Sequence, residues 1–202
     1  MTDVLIVVAT LVLLIFVLLP LLAGRPVRAT RIHCVLNLKQ VGLAFRIWSN
    51  DNNDQFPWMI STNGGTLKFA ESTNVYLHFR AASNELGSPK ILACPKDSGK
   101  TPAKDFNKFD NRNLSYFIGL DSDESKPQMI LSGDRSLTTN GTALSSGVFT
   151  LTAGDTLGWT PASHNNAGNV GLSDGSVLQV STAALQKQWQ AATNAIRRLG
   201  IP

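Results

Sequence analysis

"CVLNLKQVGLAFRIW", residues 34 to 48, places apolar side chains at Cys34, Leu38, Val41, Phe45 and Trp48. The intervals are 4, 3, 4 and 3, the period of one helical face. Arg31, Asn37, Lys39, Gln40 and Arg46 fall between them and supply a wet face. Upstream, Val4 to Ala23 offers twenty positions without a charge. At ~1.5 Å per residue that run reaches ~30 Å, the hydrocarbon thickness of a bilayer. A signal peptide would need a basic start, and Met1-Thr2-Asp3 has none. Read together, the two stretches predict one long helix from about Asp3 to Ser49, with a membrane half and an amphipathic half. Pro20 predicts a kink in it. "SNDNNDQFP", residues 49 to 57, is a helix stop followed by a loop.

Working outward, the organisation is residues 1–24 as a transmembrane anchor and 25–202 as one soluble domain. That domain is moderately basic. Between Arg25 and Arg46 stand five positive charges and no acid, a pattern that meets lipid headgroups. No aromatics or known motif accompany these arginines, so nucleic acid is not expected as a partner.

The rest of the chain reads as strands and a last helix. "LSYFIGL" (114 to 120), "QMILSGD" (128 to 134) and "GVFTLTAG" (147 to 154) are rich in β-branched or aromatic residues and bounded by turn residues. Residues 73 to 80, TNVYLHFR, fit a short helix or a strand. Asn169 to Leu172 and Val177 to Val180 flank Ser-Asp-Gly-Ser, a strong hairpin signal. Ser181-Thr182 caps a helix whose stripe is Leu185, Trp189, Ala192, Ile196 and Leu199. The expected class is α+β: a long N-terminal helix packed on an antiparallel sheet, with a C-terminal helix.

Four groups are candidates for chemistry. Cys34 and Cys94 have no other Cys or His at ligand spacing, so an extracytoplasmic disulfide is favoured over a metal site. Two buried thiols in a cytoplasmic domain are the competing reading. His164 and Asp174 suit a general base held by a carboxylate, with Ser163 or Ser173 as its client. No nucleophile-elbow motif supports hydrolysis, so a structural hairpin role is preferred and no enzyme is expected. Asp121, Asp123 and Glu124 offer oxygen ligands suited to calcium, but the full twelve-residue loop pattern is missing. A solvated acidic loop is the preferred reading there, and no cofactor is expected. His33 and His78 have no evident partner.

Several blocks together resemble a bacterial family. "CVLNLKQVGLAFRIWSNDNNDQFP", "LACPKD", "NLSYFIGL", "MILSGDR", and His164 followed after nine residues by Asp174-Gly175 are similar to elements of the prepilin-like proteins of the H-x9-DG group. The matches run in family order from about residue 3 to 180. The resemblance implies a type IV pilin or pseudopilin architecture. It also implies a subunit or accessory of a type II secretion or type IV pilus-like machine, anchored once in the bacterial inner membrane. The main domain would lie in the periplasm or outside the cell. The partners implied are the bilayer and other pilin-like subunits. Cys34 and Cys94 fall on the family's two cysteine positions, which implies that they are bonded to each other. Asp3 stands where the family has an assembly glutamate, at the same seventeen-residue spacing from Pro20. The family's basic leader and cleavage glycine have no counterpart ahead of it, which is a departure. Arg25, Arg28 and Arg31 follow the anchor, so the positive-inside rule points the other way, placing the domain in the cytoplasm. An anchored module that binds a metal or glycan without forming filaments is the alternative.

Overall fold

The structure is a computed structural model, and it describes residues 1–22, 26–62, 64–152, 154–162, 164–191 and 197–202, with no side-chain description for 19–22 and 26–29. The chain divides into two compact units, Met1–Thr30 and Arg31–Pro202.

Two helices occupy the N-terminal quarter, α1 (Thr2–Leu22) and α2 (Pro26–Asn50). The expectation of one long helix from Asp3 to Ser49 is therefore corrected: residues 23–25 between them lie outside the description. The pilin-like fold class built on that single helix falls with it. Among the described residues, no helix is long and apolar enough to cross a membrane. The single-pass anchor and the inner-membrane localisation are corrected on that ground. The kink expected at Pro20 lies where side chains are not described.

In the second unit α2 presents the expected stripe. Cys34, Leu38, Val41, Phe45 and Trp48 are all buried. The helix stops where the Asn/Asp-rich run begins. Asn53 and Asp54 take positive φ (57° and 56°), a conformation that short polar side chains tolerate. The Asn52 amide donates to the Trp48 carbonyl at 2.7 Å, satisfying one of the orphan acceptors of the last turn. Two short helices follow, α3 (Tyr76–Ala81) and α4 (Ser83–Leu86), so residues 73 to 80 resolve as mainly helix.

Among the described residues nine strands come next: β1 (Tyr116–Gly119), β2 (Ile130–Asp134), β3 (Leu137–Thr139), β4 (Thr142–Ala143), β5 (Gly147–Leu151), β6 (Leu157–Trp159), β7 (Ala167–Leu172), β8 (Val177–Ser181) and, after α5 (Thr182–Ala191), β9 (Arg197–Ile201). Six form an antiparallel sheet in the order β5-β9-β1-β2-β7-β8, and three form a small sheet, β4-β3-β6. The large sheet is covered on both faces, as its strands show by alternation. Tyr116, Ile118 and Leu131 join the core under α2, with Phe79, Phe56 and Trp58. Phe117, Ile130, Val170 and Leu199 join the opposite core, with Leu185 and Trp189 of α5 and Trp159 of the small sheet.

The expected C-terminal helix is half right. Leu185 and Trp189 are buried on α5, but Leu199 sits in β9, and residues 192–196 lie outside the description. β9 fills the slot between β5 and β1, bonding to both. A central strand satisfies its backbone on two sides and buries both faces, which outweighs a local helical period. Gly200 belongs there because an added Cβ would lie 3.1 Å from Ile118 and 3.2 Å from Val75.

Candidate functional site

His164 and Asp174 are not a pair. They stand at opposite ends of β7, whose six residues span about 20 Å. Asp174-Gly175 forms the β7–β8 turn as the Asp-Gly signal predicts: Gly175 has φ +83°, and the Asp174 carboxylate accepts from the Ser176 N–H at 2.8 Å. The turn docks on α2. The Arg46 guanidinium donates to the Asp174 carbonyl at 2.9 Å, and a Cβ built on Gly42 would sit 3.5 Å from the Gly175 Cα.

The histidine end of the strand is a buried polar cluster. Asn165 and Asn166 take φ 54° and 57°, a tight left-handed pair that leads into β7 just after His164. The ring enters the interior, with 2% of the side chain exposed. Its Nε2 lies 3.4 Å from Asp134 Oδ2, 3.5 Å from the Asn169 amide nitrogen and 3.6 Å from Cys94 Sγ. Asp134 ends β2 and accepts from the Asn169 backbone N–H (2.7 Å) and side-chain amide (2.9 Å) on the same oxygen. Cys94 is bonded to Cys34 of α2 across sixty positions of sequence, with Cα atoms 5.2 Å apart. The pairing that the resemblance implied is thus present.

Next to this cluster Arg135, the residue after Asp134, grips Asp97 with two parallel bonds of 2.7 and 2.9 Å. Such a fork is the strong form of a carboxylate contact. The blocks "CVLN", "ACPKD", "LSYF", "SGDR" and His164, scattered over 130 positions, therefore meet in one place. Helix α2 and strand β7 run side by side in the same direction, with Cys34 near His164, Leu38 against Gly171 and Arg46 at Asp174. Cys34 to Arg46 rises about 18 Å, close to the length of β7. The nine-residue interval is the distance between two clamps on one helix.

Burial governs the electrostatics. It pushes Asp134 up to about 7, against the two bonds from Asn169. Burial also lowers His164, helped by the positive charges of Arg31 and Lys96. Burial works against Asp97 as well, but the Arg135 guanidinium holds it below the ordinary carboxylate range. The imidazole is thus kept neutral next to a carboxyl group that takes up a proton near neutrality. Its ring nitrogen Nε2 faces a disulfide, a carboxyl and an amide, none of them a nucleophile for hydrolysis. Ser173, once a candidate client, is buried at the far end of β7 and bonds to the Met129 carbonyl. Ser163 lies outside the described residues.

The three acidic candidates do not converge. Asp121 pairs with Arg198 (2.5 Å), Asp123 turns to Ser125 (2.8 and 2.9 Å) and Lys126 (3.7 Å), and Glu124 reaches Ser49 and Arg46. Asp3 stands exposed in the first turn of α1, where its charge suits the helix dipole. His78, without an evident partner in the sequence, meets Thr66 Oγ1 at 2.7 Å. Asp134, Asn169, Asp97 and Arg135 were not singled out as site residues. The signal available was weak: charged residues closing an otherwise apolar strand in "MILSGDR", and a lone polar residue in the middle of "GNVGL". No family model, curated protein or solved structure matches the chain.

Proposed function

We propose that this chain is a structural subunit that assembles through α1 with the corresponding helices of other copies, and that it has no catalytic activity of its own. The surface of α1 carries the reading. Val4 through Val8 and Leu11 through Leu18 are exposed, from 44% at Leu18 to 80% at Phe16, on every face of the helix. The Thr10 hydroxyl turns back to the Ile6 and Val7 carbonyls at 3.1 and 2.9 Å and offers water little. A helix apolar all round does not stay in water, since each such side chain left uncovered forgoes about 1.5–3 kcal/mol. A groove lined by Ala9, Val12, Leu13, Phe16 and Val17 gives one face a hole into which a neighbouring helix can set a large side chain. The resemblance to the H-x9-DG group supports the same reading, because its members are taken to act by assembly. The burial of His164 among non-nucleophilic groups supports the absence of catalysis.

Sedimentation of the full chain, with and without mild detergent, tests this. The expected result is concentration-dependent oligomers that Leu13→Glu with Phe16→Glu converts to monomers, while near-ultraviolet circular dichroism stays that of the parent. A parent that remains monomeric at every concentration would overturn the proposal. So would one that enters lipid vesicles as single copies.

A further inference from the structure

The buried cluster holds more polar capacity than the protein uses. Asp134 Oδ1 and Asn169 Oδ1 are buried with no hydrogen-bond partner. Such groups normally find one, so the surroundings of His164 are polar and under-satisfied. The His164 Nε2 contact of 3.6 Å to Cys94 Sγ also has the length of one edge of a ligand tetrahedron. With metal bonds of ~2.3 Å to sulfur and ~2.05 Å to imidazole nitrogen, the N···S edge is ~3.6 Å. Cys34 Sγ, Cys94 Sγ and a ring nitrogen of His164 already lie within 4.8 Å of one another, all three residues buried.

We propose that Cys34, Cys94 and His164 are a redox-gated site for a zinc-like divalent cation, shut while the disulfide is intact and available once it is reduced. Reduction by a dithiol breaks the Cys34–Cys94 bond. Two electrons and two protons pass to the sulfurs, giving two thiols, and the reductant is left as its own disulfide. The cation then displaces both thiol protons to solvent, and the sulfurs need only part to ~3.8 Å, the S···S edge of the same tetrahedron. Two thiolates and a neutral imidazole suit zinc, which takes soft and nitrogen ligands and accepts water in a fourth position. A cleft of about 530 Å³, lined by His33, Asn37, Cys94, Pro95, Asp97 and Lys100, gives reductant and cation a path to the sulfur of Cys94.

The test uses the full chain in mild detergent, reduced with dithiothreitol, desalted without oxygen and titrated with Co²⁺. The expected result is one Co²⁺ per chain, with tetrahedral d–d bands in the visible and thiolate charge transfer in the near ultraviolet. Zn²⁺ should displace it, and the unreduced chain should show none of these bands. His164→Ala should weaken Zn²⁺ binding at least tenfold, and His164→Cys should restore it with shifted bands. Should the reduced chain unfold, far-ultraviolet circular dichroism decides: refolding by one equivalent of Zn²⁺ supports the site, and failure to refold overturns it. Equal binding before and after reduction, absence of stoichiometric binding after it, or full-strength binding by His164→Ala would each overturn the proposal.

Discussion

Where the β7–β8 turn meets α2, two glycines touch, and the same substitution should act oppositely on each. Gly175 has φ +83°, a conformation that costs an L-residue about 1–2 kcal/mol. Its added Cβ would meet Arg46 Cδ at 3.4 Å, the flexible stem of a half-exposed side chain that can shift cheaply. Gly175→Ala should therefore lose about 1–2 kcal/mol, nearly all of it backbone strain. Across the contact, a Cβ on Gly42 would lie 3.5 Å from Gly175 Cα, an ordinary van der Waals distance. Gly42 is inside α2, where alanine outranks glycine by about 0.8–1 kcal/mol. Gly42→Ala should be neutral or stabilising by up to about 1 kcal/mol. Urea unfolding followed by tryptophan fluorescence measures both, because Trp48 and Trp58 report the core under α2. An unchanged Gly175→Ala, or a Gly42→Ala that loses more than about 1 kcal/mol, would refute the docking geometry.

The remaining expectations concern the core and its titration. Burial depresses His78 from 6.5 to about 4, partly offset by the Phe69 backbone, so the unfolded chain takes up the proton first as pH falls. That contribution is fully present above about pH 6.5, and about 3 kcal/mol of it is lost on the way down to pH 4. Denaturation at the two pH values should show a smaller difference in His78→Gln than in the parent by about that amount. Phe45, fully buried edge-on to Trp58 and Phe79, should not tolerate Asp, which would cost several kcal/mol. Arg46→Ala, on the wet face of α2, should cost up to about 1 kcal/mol because it removes the bond to Asp174 and the pair with Glu124. Comparison of the two melts checks both. Gly168→Ala would drive a Cβ to 2.6 Å from the Trp159 ring and should lose about 1–3 kcal/mol in the same urea assay. Reduction in the presence of a chelator should lower stability by roughly 4 kcal/mol, the chain-entropy cost of opening a loop this long.

The stripe on α2, strands β1, β2 and β5 and the β7–β8 hairpin were legible because each is a local pattern. A helical face depends on residues three and four apart, a strand on alternation, a turn on one Asp-Gly. The last helix misled for the same reason: Leu185, Trp189 and Leu199 keep a helical period, yet Leu199 is drawn into the slot between β5 and β1. Nothing within five residues of Leu199 says that such a slot exists. The apolar run at the N-terminus likewise announced a helix, and α1 is one.

For the candidate site, the sequence determined the ingredients: two cysteines, a lone histidine, and a histidine-to-Asp-Gly interval of nine residues. From these alone His164 and Asp174 made a tempting pair, and the cysteines had no ligand partner at short spacing. Tertiary structure decided the partnerships. An extended strand carries Asp174 about 20 Å from His164, while the fold brings Cys34, Cys94 and Asp134 to the histidine from three separate stretches of chain. The physical reason is that spacing limits distance only from above. Contact between residues 70 or 130 positions apart is set by sheet register and by the seating of α2, which are properties of the packed core and of no segment within it.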